Sequence, residues 1–501
     1  MAQLMESTAK GEHYRKKGAR LTEDADEAVL LHKPGVPEEY RYLLEHFHLI
    51  DKAHLIMLAE EQLIPKQDAV IMLQALKDME REGIEEVRLR TGGAMHSGEH
   101  YLIETLGESV GGRLHLGRSS GDMQSTSGRL LVRSGYLELL AEVVKFRDGL
   151  VKLASEHVET VMPHYTRFQH GQTTTFGHYL MGFVRALERD FERLVQAFRR
   201  CNVSSMGCGA GTGSEFLLNR KRTAELMGFS SVLTNTKDAY AFMDFGIEAF
   251  TAMSILMTNV DRVATDLLVW YTYEFGFIDF ADRYCGTSSI MAQKKNPHGL
   301  MYVTENISKL LGRMTGAIVQ YRNVSGLGSL KEVGFSFELT ARSLRAMSGI
   351  MTTMEVKTER MREQSTAAWA QSSDLAGAMV SEKGLPWRTA YQIVAILVRQ
   401  SIDSGKGEKD VTPQMVDRAA IEYTGNPVGL SAQEIKKALD PLECVKARTL
   451  IGGPAPHEVK KQIEESRQAL LADRRIFEEL QGQVKAGERK MAEAEKKLLG
   501  N

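Results

Sequence analysis

Apolar residues recur at helical spacing through the middle of this chain. Over 127–161 they fall at Leu130, Leu131, Tyr136, Leu139, Leu140, Val143, Val144, Leu150, Leu153 and Val158. Steps of three and four place them on one helix face. The same rhythm predicts helices over about 176–200, 238–273, 300–319 and 337–360. Proline usage agrees. Between Lys66 and Leu385 only Pro163 and Pro297 occur, and proline breaks helix interiors. No run of short β-branched alternation competes. Long helices joined by few turns predict an all-α fold built on a bundle. Three helical domains are expected: 1–120, a long central bundle over 121–364, and a smaller end over 365–456. The charged tail, 457–501, follows another rule. Ile463, Leu470, Phe477, Val484, Met491 and Leu498 repeat every seven residues, but the second line is Ser466, Asp473, Leu480 and Gly487. A coiled coil needs two apolar seams, so the tail is predicted to be an amphipathic helix lying on its own protein.

Composition narrows the functional classes. The 501 residues include 43% hydrophobic and 26% charged residues, an ordinary globular balance with length enough for a large core. A net charge of −2 provides no basic field for nucleic acid or an anionic membrane. No apolar run reaches the ~18–20 residues of a membrane span, and the polar N-terminus lacks a signal-peptide core. A cytoplasmic chain is expected. Cys201, Cys208, Cys285 and Cys444 form no CxxC pair and no zinc-ligand spacing, so reduced thiols and no metal are expected. Cys285 reads as a packing residue.

One segment breaks the helical rhythm. Residues 286–297 read GTSSIMAQKKNP, with a serine pair, two lysines and an asparagine but no period of 3.6 or 2.0. This suits a loop closing over an anion. A hydroxyl acts as a base only where its alkoxide is stabilised. Backbone amides of the turn, with Lys294 and Lys295, could do that. Asn296 with Lys294 could hold a carboxylate, and more tightly as it gains charge. The same composition also suits an anion-binding loop without chemistry.

The loop resembles the GSSxMPxKxN pattern of the fumarase/aspartase superfamily. Its flanks resemble the argininosuccinate lyase branch: LHLGRSSGD at 114–122, MPHYTRFQHGQTTTFGH at 162–178 and NRKRTAELMGF at 219–229 before the loop. EFGF at 274–277 also precedes the loop, and SSDLAGAMVSEKGLPWRTAYQIV at 372–394 and ALDPLECVKARTLIGGPAP at 438–456 come after it. The resemblance spans about 51–456. It implies a homotetramer whose central helices form a twenty-helix core, with three subunits contributing to each active site. It implies elimination from a succinyl group with release of fumarate, without metal or organic cofactor. Carried over, Ser288 is the base, and Lys294 and Asn296 bind the carboxylate that becomes an enediolate. Ser119, Thr166, Gln169 and His115 match substrate-site positions.

Departures from the pattern are informative. The branch pairs a histidine in YTHLQ with a glutamate five residues after the loop asparagine. Those positions are Arg167 and Met301 here. An arginine does not accept a proton at neutral pH but binds carboxylates through two hydrogen bonds, so Arg167 is expected to bind substrate. Ser120 and Gly121 replace an arginine and an asparagine of GRSRND. Tyr321 matches a substrate-contacting tyrosine, and Lys331 is the counterpart of a lysine farther on. Ala292 replaces the loop proline. Arg118 either binds substrate or braces its turn, and Lys295 braces the loop or steers substrate. His96, His100, His164, His170 and His178 read as structural or exposed, which leaves the leaving-group acid unassigned.

The expected activity is therefore a carbon–nitrogen lyase acting on a dicarboxylate, an N-substituted aspartate, and releasing fumarate. Argininosuccinate lyase itself is one alternative. An inactive structural relative, as among lens crystallins, is another.

Overall fold

The computed structural model describes residues 40, 42–92, 94–322 and 330–500. They form nineteen α-helices and eight short strands. The chain begins with α1 (Leu44–Glu60) and α2 (Lys66–Glu82), followed after a short helix by α3 (Ser97–Leu106). Long helices follow: α4 (Ser120–Glu156), α5 (Phe176–Cys201), α6 (Asp244–Tyr271), α7 (His298–Tyr321) and α8 (Leu330–Thr353). They bury one continuous core containing Tyr136, Phe146, Phe198, Phe250 and Leu310. Each fully buried Leu or Phe contributes about 1.5–3 kcal/mol. A separate apolar cluster holds the smaller helices between Leu375 and Ile435.

Helix ends depart from the predicted ranges for local reasons. Helix α4 starts at Ser120 rather than at 127, because Ser119 and Asp122 form a capping box ahead of it. It stops at Glu156, and β1 (Val161–Thr166) then pairs antiparallel with β2 (Gln169–Thr175). The sequence predicted no strand there. Three consecutive threonines, Thr173 to Thr175, favour the extended chain. The region predicted as one helix over 238–273 is two: Thr236–Ala241, then α6, with Phe242 extended between them. Helix α8 ends at Thr353 rather than 360, and Glu355–Val356 pairs with Ile278–Asp279 instead.

The tail is a single helix, α9 (Pro456–Leu499). Ile463, Leu470 and Met491 are buried, as the heptad line predicts. The weak second line also meets the rest of the chain. Ser466 donates to Glu188, Arg147 is paired with Asp473, and Leu480 is buried. A Cβ on Gly487 would lie 2.3 Å from the Gly228 Cα, so glycine is needed at this backbone contact. At the far end, Glu495 binds Lys52 of α1 at 2.5 Å and Lys77 of α2 at 3.0 Å. One helix thus clamps the central bundle to the N-terminal helices.

Candidate active site

Three stations carry the candidate residues. The first is the loop. Its ends form a two-pair antiparallel ladder, β3 (Gly286–Thr287) with β4 (Lys295–Asn296). Ser288 sits just beyond the ladder. Its Oγ accepts from the backbone N–H of Met291 at 3.1 Å and of Ile290 at 3.4 Å. Two amides aimed at one hydroxyl oxygen favour negative charge on it. Lys295 turns away from the tip. Its Nζ binds Asp279 and Asp282, each at 3.0 Å, and Tyr271 donates to its carbonyl. Lys295 therefore braces the base of the loop and does not assist Ser288. Lys294 is exposed at the tip. The Asn296 amide donates to the Thr287 carbonyl at 3.4 Å, a long bond that a carboxylate can displace. Cys285 packs half-buried against the central core, and burial raises its thiol pKa.

The second station is the β1–β2 hairpin. Thr166 pairs with Gln169, leaving Arg167 and Phe168 as its two-residue tip. Both have positive φ, 53° and 59°, the geometry of a tight hairpin turn that normally takes Asn or Gly. Neither residue is suited to it, and such strain collects at functional sites. Thr166, Arg167 and Gln169 are all exposed. The hairpin base is firmly held: Gln371 donates to Thr173 Oγ1 at 2.6 Å, and Gln172 to Ser373 at 3.0 Å. His170 lies against Tyr165 and the Ala367 carbonyl, and His178 bridges Thr174 and the Gly452 carbonyl. Both have structural roles.

The third station is the turn from His115 to Ser120, at the N-terminus of α4. Arg118 is buried and donates to Asp51 Oδ1 at 2.6 Å, while Arg88 donates to Asp51 Oδ2 at 2.5 Å. All three side chains are fully buried. Burial alone would raise the Asp51 pKa, but the two guanidinium groups hold it below the ordinary value. Arg118 therefore braces the turn rather than facing substrate. Gly98 makes room for the triad, since a Cβ there would lie 2.1 Å from Asp51 Oδ2. Ser119 accepts from the Gly121 amide, and its own N–H donates to Asp122 at 3.0 Å. Burial raises the Asp122 pKa to about 6. Ser120 Oγ lies 2.8 Å from His96 Nε2, and His115 Nδ1 lies 2.7 Å from Glu99 Oε2.

Tyr321 does not join these stations. It packs against the central core, with its hydroxyl 2.9 Å from where a Cβ on Gly246 would be, and burial raises its pKa to about 12. Met301 is exposed on the first turn of α7. The Lys331 side chain lies outside the described residues. Sequence reasoning did not single out Asp51 or Glu99. An acid on an apolar helix looks like any surface acid until the fold buries it. Among the described residues no hydrogen bond joins Ser288 to Ser119 or Arg167.

Comparison with known proteins agrees with this architecture. Residues 43–316 match a family described as Lyase, and 369–446 match Argininosuccinate lyase C-terminal. Argininosuccinate lyase of Methanocaldococcus jannaschii is 37% identical over 442 residues, 86% of this chain and 90% of that protein. The Methanosarcina acetivorans enzyme is 38% identical over 457 residues, 89% of this chain and 91% of that protein. A solved EDDS lyase variant with bound fumarate superposes with a TM-score of 0.86 at 27% identity, covering 93% of this chain and 96% of that one. A 3-carboxy-cis,cis-muconate lactonizing enzyme from Pseudomonas putida shares the fold, with a TM-score of 0.69 at 18% identity, over 87% of this chain and 98% of that one. Matches of this extent, with the loop and turn motifs in order along the chain, make it a member of the argininosuccinate lyase branch of the fumarase/aspartase superfamily.

Proposed function

We propose that this protein is a carbon–nitrogen lyase that cleaves an N-substituted aspartate into fumarate and an amine or guanidine compound. The observation that carries this reading is Ser288 Oγ accepting two backbone amides at an exposed loop tip. Ser288, as alkoxide, removes the proton next to a carboxylate. Lys294 and Asn296 hold that carboxylate, and their grip tightens as the enediolate forms. The electron pair then moves to form the alkene and expel nitrogen. Arg167 binds the second carboxylate through its planar fork, with Ser119, Ser120, Thr166, Gln169 and His115 completing the substrate site.

A homotetramer fits this reading. Helix α7 presents exposed apolar residues, Tyr302, Leu311, Ile318 and Val319. Exposed apolar residues in this number on one long helix suit an interface. The protein is placed in the cytoplasm, in keeping with four unpaired cysteines. No helix among the described residues is long and apolar enough to cross a membrane.

The test is fumarate formation, followed by ultraviolet absorbance, from argininosuccinate and a panel of N-substituted aspartates. The reverse reaction would be screened with fumarate and amines by mass spectrometry. Activity on a substrate other than argininosuccinate supports a changed leaving group. Arginine release from argininosuccinate alone makes the protein an argininosuccinate lyase in the strict sense, the reading that its 35–38% identical relatives favour. No turnover in either direction sinks the lyase reading and leaves the inactive relative.

A further inference from the structure

The elimination needs a proton for the departing nitrogen, and the two positions where the branch keeps a histidine and a glutamate hold Arg167 and Met301. Neither donates a proton at neutral pH. The turn that carries Ser119 and Ser120 does hold an imidazole. His115 Nδ1 lies 2.7 Å from Glu99 Oε2, with the His115 side chain 38% exposed and that of Glu99 only 7%. One ring nitrogen is tied inward while the ring stays partly exposed.

The carboxylate is well defined in charge. Burial opposes its ionisation, but hydrogen bonds from His115 and His96 and the charge of Arg118 hold the Glu99 pKa well below the usual range. A carboxylate only accepts, so His115 Nδ1 carries the hydrogen toward it. Nε2 is then the nitrogen that exchanges a proton with substrate. The pair is also fixed in space. Glu99 is on α3 beside Gly98, whose close approach admits the Asp51–Arg88–Arg118 triad, and Arg118 is three residues beyond His115. Around the His115 ring stand Glu99 and, at 5.1 Å between ring centroids, His96; His54, which burial keeps neutral, is nearby, and the Arg118 charge acts on Glu99.

We infer that His115, positioned by Glu99, is the acid that protonates the leaving nitrogen. The inference rests on the lyase reading above. In the step, Ser288 takes one proton from the succinyl carbon and the C–N bond breaks with its electron pair going to nitrogen. Nε2–H of the His115 imidazolium supplies the proton that nitrogen gains. Fumarate and the neutral amine or guanidine leave, and solvent reprotonates the imidazole. One proton is taken and one is given, so the atoms balance.

The test begins with His115→Asn, which should lower kcat by about 10²–10⁴-fold with little change in KM. Solvent deuterium should still enter the succinyl carbon, through Ser288. His115→Gly should regain cleavage with added imidazole, which a merely structural role does not predict. Glu99→Gln should lower kcat less and move the alkaline limb of the kcat–pH profile to lower pH. Cleavage by His115→Asn at the wild-type rate overturns the assignment, and so does the same loss appearing in His164→Asn instead. His96, Glu99 and His115 lie close enough to hold a metal ion. Loss of wild-type activity with a chelator, restored by zinc, would therefore also overturn it. If the wild-type protein neither cleaves nor exchanges any succinyl compound, the lyase reading itself has failed, a result separable from failure of His115 alone.

Discussion

The turn at His115–Ser120 and the loop at 286–297 are held in opposite ways. The turn is locked from below: Arg118 and Arg88 share Asp51 in a fully buried triad, and the Ser119 capping box starts a long helix above it. The loop is held only at its base, by two ladder pairs and the Lys295 ion pairs, while Ser288 to Lys294 run beyond them. Groups that recognise and protonate need fixed directions. A base that must approach substrate and then release product needs a segment that closes and opens. The hairpin tip at Arg167 lies between these extremes, with a firmly anchored base and a strained end.

The sharpest probe of this contrast is Ser288→Ala. Turnover should fall by about 10²–10⁴-fold, while circular dichroism and the melting temperature stay those of the wild type. A large loss of stability would mean that the loop is part of the scaffold. Asp51→Ala should do the reverse. It strands two buried guanidinium groups and should destabilise the protein by about 3–5 kcal/mol, measured by denaturant unfolding. Unchanged stability would remove the distinction between the two regions. Gly487→Ala is a milder test of the scaffold. Alanine favours the helix, but its Cβ meets the Gly228 backbone, so a net loss of about 1–3 kcal/mol is expected. An increase in stability would show that the tail does not press there.

Acid should attack the locked region first. His54 on α1 binds the Leu116 carbonyl at 2.9 Å. Burial, reinforced by the nearby Arg118 charge, depresses its pKa from 6.5 to about 3. The folded state therefore holds it neutral and the unfolded state takes the proton more readily. Its contribution is intact above pH 6.5 and is lost progressively as pH falls toward 3. At pH 5.5 the loss is about 1.4 kcal/mol. His54→Asn should flatten this part of the stability profile, and an unchanged acid slope would refute the assignment. The smallest structural effect is expected at Arg167→Gly. Glycine removes the positive-φ strain but adds freedom to the unfolded chain, so stability should stay within about 1 kcal/mol of wild type. KM should nonetheless rise, and an unchanged KM would deny Arg167 its carboxylate.

Much of the fold was legible in the sequence because long helices obey a local rule. The apolar spacing of 130–158 and the scarcity of proline required helices whatever their partners. The ends were not legible: α4 begins where Ser119 caps it, and α8 gives way to a strand that pairs with a distant segment. The tail shows the same limit. Its heptad line was readable, but the weak line of Ser466, Asp473 and Gly487 gains meaning only from Glu188, Arg147 and Gly228 opposite.

The chemistry divides in the same way. The sequence by itself determined the helical class, the family, and the loop that carries Ser288, Lys294 and Asn296, because spacing and residue type are local properties of the chain. Only the tertiary structure decided that Arg118 and Lys295 are braces, that the Tyr321 ring packs against the core, and that Glu99 meets His115. The physical reason is burial and pairing. A charged side chain becomes a strut, a ligand or an acid according to what the fold places beside it and how much water remains, and those neighbours come from parts of the chain that sequence proximity does not reveal.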